Sequence, residues 1–158
     1  MATGTKRPPY EAYAGIMGTF VAGLGAAGAL ARALKRESHS QSALDLVVLS
    51  AATFKASRTL TRDDVTSFLR EPFVEGDALG SDERPAGEGM QRAIGELITC
   101  SRCTGTWVAA GLTSTQILAP RFGRLLTWSL AAAAANDWLQ AGFTALTTKT
   151  NELEERAG

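Results

Sequence analysis

Apolar residues in this chain gather into long runs, and charges are largely kept out of them. No charged residue occurs from Ala12 to Ala31 or from Cys103 to Pro120, while Arg58 to Arg102 is dense in charges of both signs. Four apolar segments stand out, near 12–34, 43–60, 103–120 and 125–148, with a polar stretch over 61–102 between the second and third. A helix needs about 20 predominantly apolar residues to cross the hydrocarbon of a bilayer. The first segment meets that length and the third approaches it, while the last is broken only by Asp137. The second crosses only if Lys55 and Arg58 snorkel to an interface and Asp45 sits at the opposite edge. The pattern predicts an all-α integral membrane bundle of three to four transmembrane helices in a multi-pass cell-membrane protein.

Within the first segment, Ala14, Gly18, Ala22 and Ala26 form a stripe of small residues at four-residue spacing, and Gly25, Ala29 and Ala33 form another. Glycines cost a helix in water up to about 1 kcal/mol each against alanine, whereas in lipid small residues let helix backbones approach closely. Tyr10 and Tyr13 fit an interfacial aromatic belt. The stripe predicts helix packing, with a second copy of the chain or another membrane protein as partner beside the lipid bilayer itself. Further along, Leu60 to Arg70 predicts an amphipathic helix started by Thr61 or Asp63, with Val65, Phe68 and Leu69 on one face. Pro72 ends it, Glu75 to Gly89 predicts a loop, and Met90 to Thr99 predicts a second short amphipathic helix. Pro120 is expected to end the third apolar helix, and Lys149 to Gly158 is a charged tail.

Basic residues orient the bundle. With four crossings, Lys6, Arg7, Arg62, Arg70, Arg84, Arg92, Arg102, Lys149 and Arg156 share one side and outnumber Arg32, Lys35, Arg36, Arg121 and Arg124 on the other. The richer side is expected to be cytoplasmic, so the termini, the amphipathic loop and the cysteines lie there. With three crossings the termini fall on opposite sides.

Composition narrows the chemistry. The 158 residues suit one domain, and a net charge of zero gives no electrostatic reason to bind nucleic acid. Both cysteines sit in one Cys-x-x-Cys, Cys100 and Cys103, which is too few for a disulfide-framed scaffold. Serine-flanked His39 is read as solvated, and no metal or cofactor is expected. The thiol pair admits three roles: thiol–disulfide exchange favoured by a helix start and Arg102, half of a zinc site completed by a second copy, or structure. Lys55, Arg58 and Asp137 are the intramembrane charge candidates, as an ion pair that fixes helix register or as a proton or ion relay.

Two stretches carry a family resemblance. Ala52-Thr53-Phe54-Lys55-Ala56-Ser57-Arg58-Thr59-Leu60-Thr61-Arg62-Asp63, and later Gly95-Glu96-Leu97-Ile98-Thr99-Cys100-Ser101-Arg102-Cys103-Thr104-Gly105-Thr106-Trp107-Val108, resemble the bacterial membrane family catalogued as domain of unknown function 1360. The Tyr10 to Ala14 start is similar too. Ser101-Arg102 departs from the proline or tryptophan that members often carry between the cysteines. The resemblance implies a small bacterial integral membrane protein, linked in some relatives with sporulation, and no established activity. A helical interaction or scaffold protein is the leading expectation, and a membrane thiol-redox protein using Cys100 and Cys103 is the alternative.

Overall fold

A computed structural model describes residues 8–36, 42–76 and 83–157. Lys6, Arg7, His39 and the middle of the expected loop, 77–82, lie outside the described residues. The described chain is all-α apart from one two-residue strand pair. Its helices are α1 (Tyr10–Ala33), α2 (Ala43–Arg62), α3 (Ser67–Arg70), α4 (Gly89–Thr99), α5 (Ser101–Leu118) and α6 (Pro120–Ala157).

Local chemistry sets the ends of these helices. Pro9 precedes α1, and α1 stops in a Schellman turn. Lys35 takes φ 50°, its N–H donates to the Arg32 carbonyl, and the Arg36 N–H donates to the Ala31 carbonyl. The apolar run that ends near 34 marks this stop, but the turn that makes it carries no signal of its own, because a lysine holds the left-handed position where glycine is usual. At the start of α2, the Ser42 hydroxyl accepts from the Asp45 N–H while the Asp45 carboxylate accepts from the Ser42 N–H, forming a capping box. Asp45 therefore serves the backbone of its own helix.

Several expectations are corrected. Thr61 and Arg62 finish α2, and Asp63 is both its C-cap and the residue before a 3-10 turn, which its side chain does not cap. The predicted Leu60 to Arg70 helix breaks into a 3-10 turn, Asp64–Thr66, and the one-turn α3. Thr66 drives that break, because its hydroxyl donates back to the Thr59 and Asp63 carbonyls and folds the chain over the end of α2. The outer edges of the predicted loop are ordered: β1 (Val74–Glu75) pairs antiparallel with β2 (Arg84–Pro85). Finally, α5 ends before Pro120, which instead opens α6, where a missing N–H costs nothing. The charged tail continues that helix to Ala157.

Helices α2, α5 and α6 form the centre, and α1 lies along α5. The Lys55–Asp137 and Phe54–Trp138 contacts put α2 and α6 side by side, and the two run parallel because each is antiparallel to α5: Thr61 meets Ser101 and Ser57 lies beside Gly105, while Gln116 meets Thr127. Between α5 and α6 the chain reverses at Ala119, and the Gln116 amide donates to the Thr127 hydroxyl across the corner. Gly123 is required there, since a Cβ would come within 2.6 Å of Gln116 Cα. One end of the bundle thus holds the start of α1, the end of α2, α4 and the start of α5, joined by Tyr13 to Glu96 and Thr61 to Ser101. The other holds the α5–α6 corner, with Ala31 of α1 beside Leu118 across an apolar groove of about 420 Å³.

Side-chain size is distributed inside out. The buried hydrophobic core is Ala12, Val48, Ala52, Ala86, Ala93, Leu112 and Ala134, joined by the polar Ser57, Thr61, Thr104 and Thr127 and by Arg70, and among the described residues the one large side chain fully closed off is Thr127. Large apolar residues face outward instead, among them Met17, Val21, Leu44, Leu46, Val47, Phe122 and Leu125, each about 60% exposed. Among the described residues one helix, Tyr10–Ala33, is long and apolar enough to cross a membrane, and none of its apolar window is buried. The other three expected spans fall short by composition: α2 carries Asp45, Lys55 and Arg58, α5 is rich in Thr and Ser, and α6 includes Asn136, Asp137 and Gln140.

Candidate functional site

The cysteine pair sits at the elbow between α4 and α5. Cys100 is the N-cap of α5, with extended backbone, and Cys103 is the third residue of the helix. In this geometry the side chain of an N-cap residue accepts the N–H three residues on. Here sulfur takes the place of the usual oxygen: the Cys103 N–H donates to Cys100 Sγ at 3.3 Å, and the Cys103 thiol donates to the same sulfur at 2.7 Å. Both thiols are free; Cys100 is half-buried and Cys103 exposed. The Cys103 thiol and then its N–H hold the Cys100 thiol below its ordinary range, with smaller help from the Arg102 N–H and charge, against the opposing effect of burial.

A polar surround fixes this elbow. Thr61, buried at the end of α2, meets the Ser101 hydroxyl at 2.6 Å, and Thr104 donates to the Leu97 carbonyl at 2.8 Å, bridging α4 and α5. One turn before Cys100, Glu96 accepts from the Tyr13 hydroxyl of α1 and pairs with Arg92 at 3.0 Å. The Tyr13 hydroxyl, then Arg92, hold the Glu96 carboxyl below the usual glutamate range. Arg92 and Glu96 are legible as an i, i+4 pair, but nothing in the sequence marks Tyr13 as their partner.

Arg70 was also missed as a buried group. Only 2% exposed, it grips the Glu83 carboxylate through Nε at 2.9 Å and Nη2 at 3.0 Å. Its Nη1 donates to the carbonyls of Leu60 and Asp63 and to the Thr66 hydroxyl. This one side chain ties the end of α2, α3 and the β2 approach together. Val65, Phe68 and Leu69, expected on one face of an amphipathic helix, are all exposed.

The second constellation divides. Lys55 Nζ lies 2.8 Å from the Asp137 carboxylate, while Arg58 is exposed and makes no ion pair among the described residues. Ala14, Gly18, Ala22 and Ala26 all face away from the rest of the chain, and a Cβ on Gly18 would meet nothing within 4 Å. The face of α1 that touches α5 is a different one, anchored by Phe20 on Trp107 with ring centroids 5.0 Å apart. Among the described residues no group of three His, Cys, Asp or Glu side chains converges as a metal site.

The arrangement defines a small helical protein with a free dithiol at an ordered elbow and many exposed large apolar side chains. Over residues 48–143 the chain matches the family described as protein of unknown function (DUF1360), and it belongs to that family. It is similar to the sporulation protein YjcA of Bacillus subtilis (strain 168), 35% identical over 112 residues that cover 61% of this chain and 95% of that protein. It is also similar to the UPF0713 protein YngL of the same strain, 26% identical over 99 residues covering 61% of this chain and 76% of that protein. No solved structure matches the chain.

Proposed function

We propose that this chain is a multi-pass protein of the bacterial cell membrane, acting as a helical interaction or scaffold protein that self-associates through α1. The observation that carries the reading is the inside-out core. Alanine and threonine line the closest helix contacts while leucine, valine, methionine and phenylalanine face outward. Water opposes that distribution, because large apolar patches are the surface it most strongly drives into contact. Lipid favours it, since helices in a bilayer gain from close backbone approach and their large apolar side chains cost nothing at the lipid face.

The charge-bearing helices α2 and α6 join α1 in the membrane through α5, on which both of them and α1 pack. The apolar groove between α1 and α5 runs from Phe20 and Thr106 to Ala31 and Leu118, so a bilayer that surrounds α1 also meets α5, with α2 and α6 behind it. Lys55 and Asp137 enter as a pair, which is how intramembrane charges are tolerated. On this reading the stripe Ala14, Gly18, Ala22 and Ala26 is free for a second copy. The sporulation setting named for YjcA is carried over only as the process in which such a scaffold would work.

Alkaline carbonate washing of membranes tests the core of this proposal: the chain stays in the pellet, and release into the supernatant refutes it. Gly18→Leu tests the stripe. It adds bulk that meets nothing in its own chain, so it lowers crosslinked dimer while helix content holds; unchanged dimer removes α1 as the contact. A second reading, a membrane thiol–disulfide exchanger, is favoured by the 2.7 Å approach of the Cys103 thiol to Cys100. It predicts loss of thiol exchange in the double Cys→Ser variant with membrane insertion unchanged.

A further inference from the structure

We propose that Cys100 and Cys103 hold fixed, unequal roles, Cys100 as the attacking thiol and Cys103 as the resolving thiol, toward the disulfide of a protein or peptide segment. This inference rests on the thiol-exchange reading and adds its direction and substrate class.

Donation runs one way. Cys100 Sγ receives both the N–H and the S–H of Cys103, at 3.3 and 2.7 Å. Two donors on one sulfur stabilise negative charge there. Position adds to this, because Cys100 caps the helix, where the backbone donors and the helix dipole favour an anion, whereas Cys103 already lies within the first turn. Exposure argues the other way, since Cys103 is the more open of the two. Thiolate character prevails because only the thiolate attacks, although part of the gain is returned as lower intrinsic nucleophilicity. The half-buried attacking sulfur also bears on the substrate: it suits a slim disulfide on an extended segment better than one set in a folded face.

The exchange then balances without any further reagent. Cys100 as thiolate attacks the substrate disulfide; the substrate S–S bond breaks, a Cys100–substrate disulfide forms, and the first substrate sulfur leaves and takes a proton. Cys103, already in contact with Cys100 Sγ, gives up its proton and attacks that sulfur. The mixed disulfide breaks, Cys100–Cys103 closes, and the second substrate sulfur leaves as a thiol. The chain's dithiol is oxidised by two electrons and the substrate disulfide is reduced by two. The contacts of Thr61 with Ser101 and of Thr104 with Leu97 hold the elbow in this arrangement before any substrate arrives.

The test uses the full chain in detergent micelles, glutathione disulfide as probe, and intact-mass spectrometry. Cys103→Ser accumulates a stable glutathione adduct on Cys100. Cys100→Ser forms its adduct several-fold more slowly, and the wild-type chain passes to an internal disulfide with two glutathione thiols released. Equal rates in the two variants, or faster capture by Cys100→Ser, overturn the role assignment while leaving exchange itself standing. A wild-type chain that neither forms an adduct nor closes its disulfide overturns the exchange reading and this inference with it. Circular dichroism of each variant confirms that unchanged helices underlie the comparison.

Discussion

The Lys55–Asp137 pair gives a direct measure of what surrounds α2 and α6. Its side chains are 23% and 40% exposed and meet at 2.8 Å. If the exposed part faces water, this is an ordinary surface pair with a coupling of about 0.2–1 kcal/mol. If it faces lipid, removing one partner strands the other, and a lone charge near the centre of a bilayer costs about 2.5–3.5 kcal/mol. Lys55→Met and Asp137→Leu are then each severely destabilising, while the double variant, which leaves no charge behind, recovers most of the loss. A double-mutant cycle isolates that term. The assay is unfolding in mixed micelles by tryptophan fluorescence, for which Trp138, tilted against Phe54 with ring centroids 5.9 Å apart beside the pair, is a local reporter. Coupling above about 2 kcal/mol fits the lipid case. Coupling within the surface range, with a double variant no more stable than the singles, refutes the placement of α2 and α6 in the membrane.

Other outcomes follow from the same geometry. Arg70→Met leaves the Glu83 carboxylate without its buried partner, so it costs about 3–5 kcal/mol and opens residues 60–76 to hydrogen–deuterium exchange. Gly123→Ala places a Cβ against the backbone of Gln116 and lowers stability by about 1–3 kcal/mol, read as an earlier denaturation midpoint. The Glu96 carboxyl is depressed in the folded chain, so its contribution is complete above the ordinary glutamate range and is lost as pH falls through the depressed value. Tyr13→Phe removes the main cause of that depression and flattens the acid limb of a stability–pH profile.

The long-range order of the chain was legible because its signals are extended ones. Apolar runs located α1, α2, α5 and the first part of α6, and the period of Met90 to Thr99 located α4. What was not legible turns on single contacts with distant partners. Thr66 folds the chain back onto Thr59, so a plausible amphipathic helix is cut short, and Pro120, read as a stop, is compatible with a start. The Lys35 turn lacks the glycine that usually announces it. At the candidate site the spacing of Cys100 and Cys103 was visible, whereas the one-way donation between them depends on where the α4–α5 elbow places the N-cap. Tyr13 and Arg70 carry no local mark, because their partners lie on other elements.

Helix α6 outruns its neighbours. Counting along both helices from the Lys55–Asp137 contact, the end of α2 at Arg62 lies level with Thr144, while α6 continues to Ala157. At about 1.5 Å per residue, that leaves a rigid rod standing roughly 20 Å clear of the bundle, with Leu146 and Leu153 on it exposed. A stiff rod sets distance as well as direction. Anything gripping its last two turns is held at a fixed stand-off from the thiol elbow at the same end of the bundle, so shortening or lengthening α6 by whole turns changes that separation in steps of about 5.4 Å without altering the bearing of the attached group.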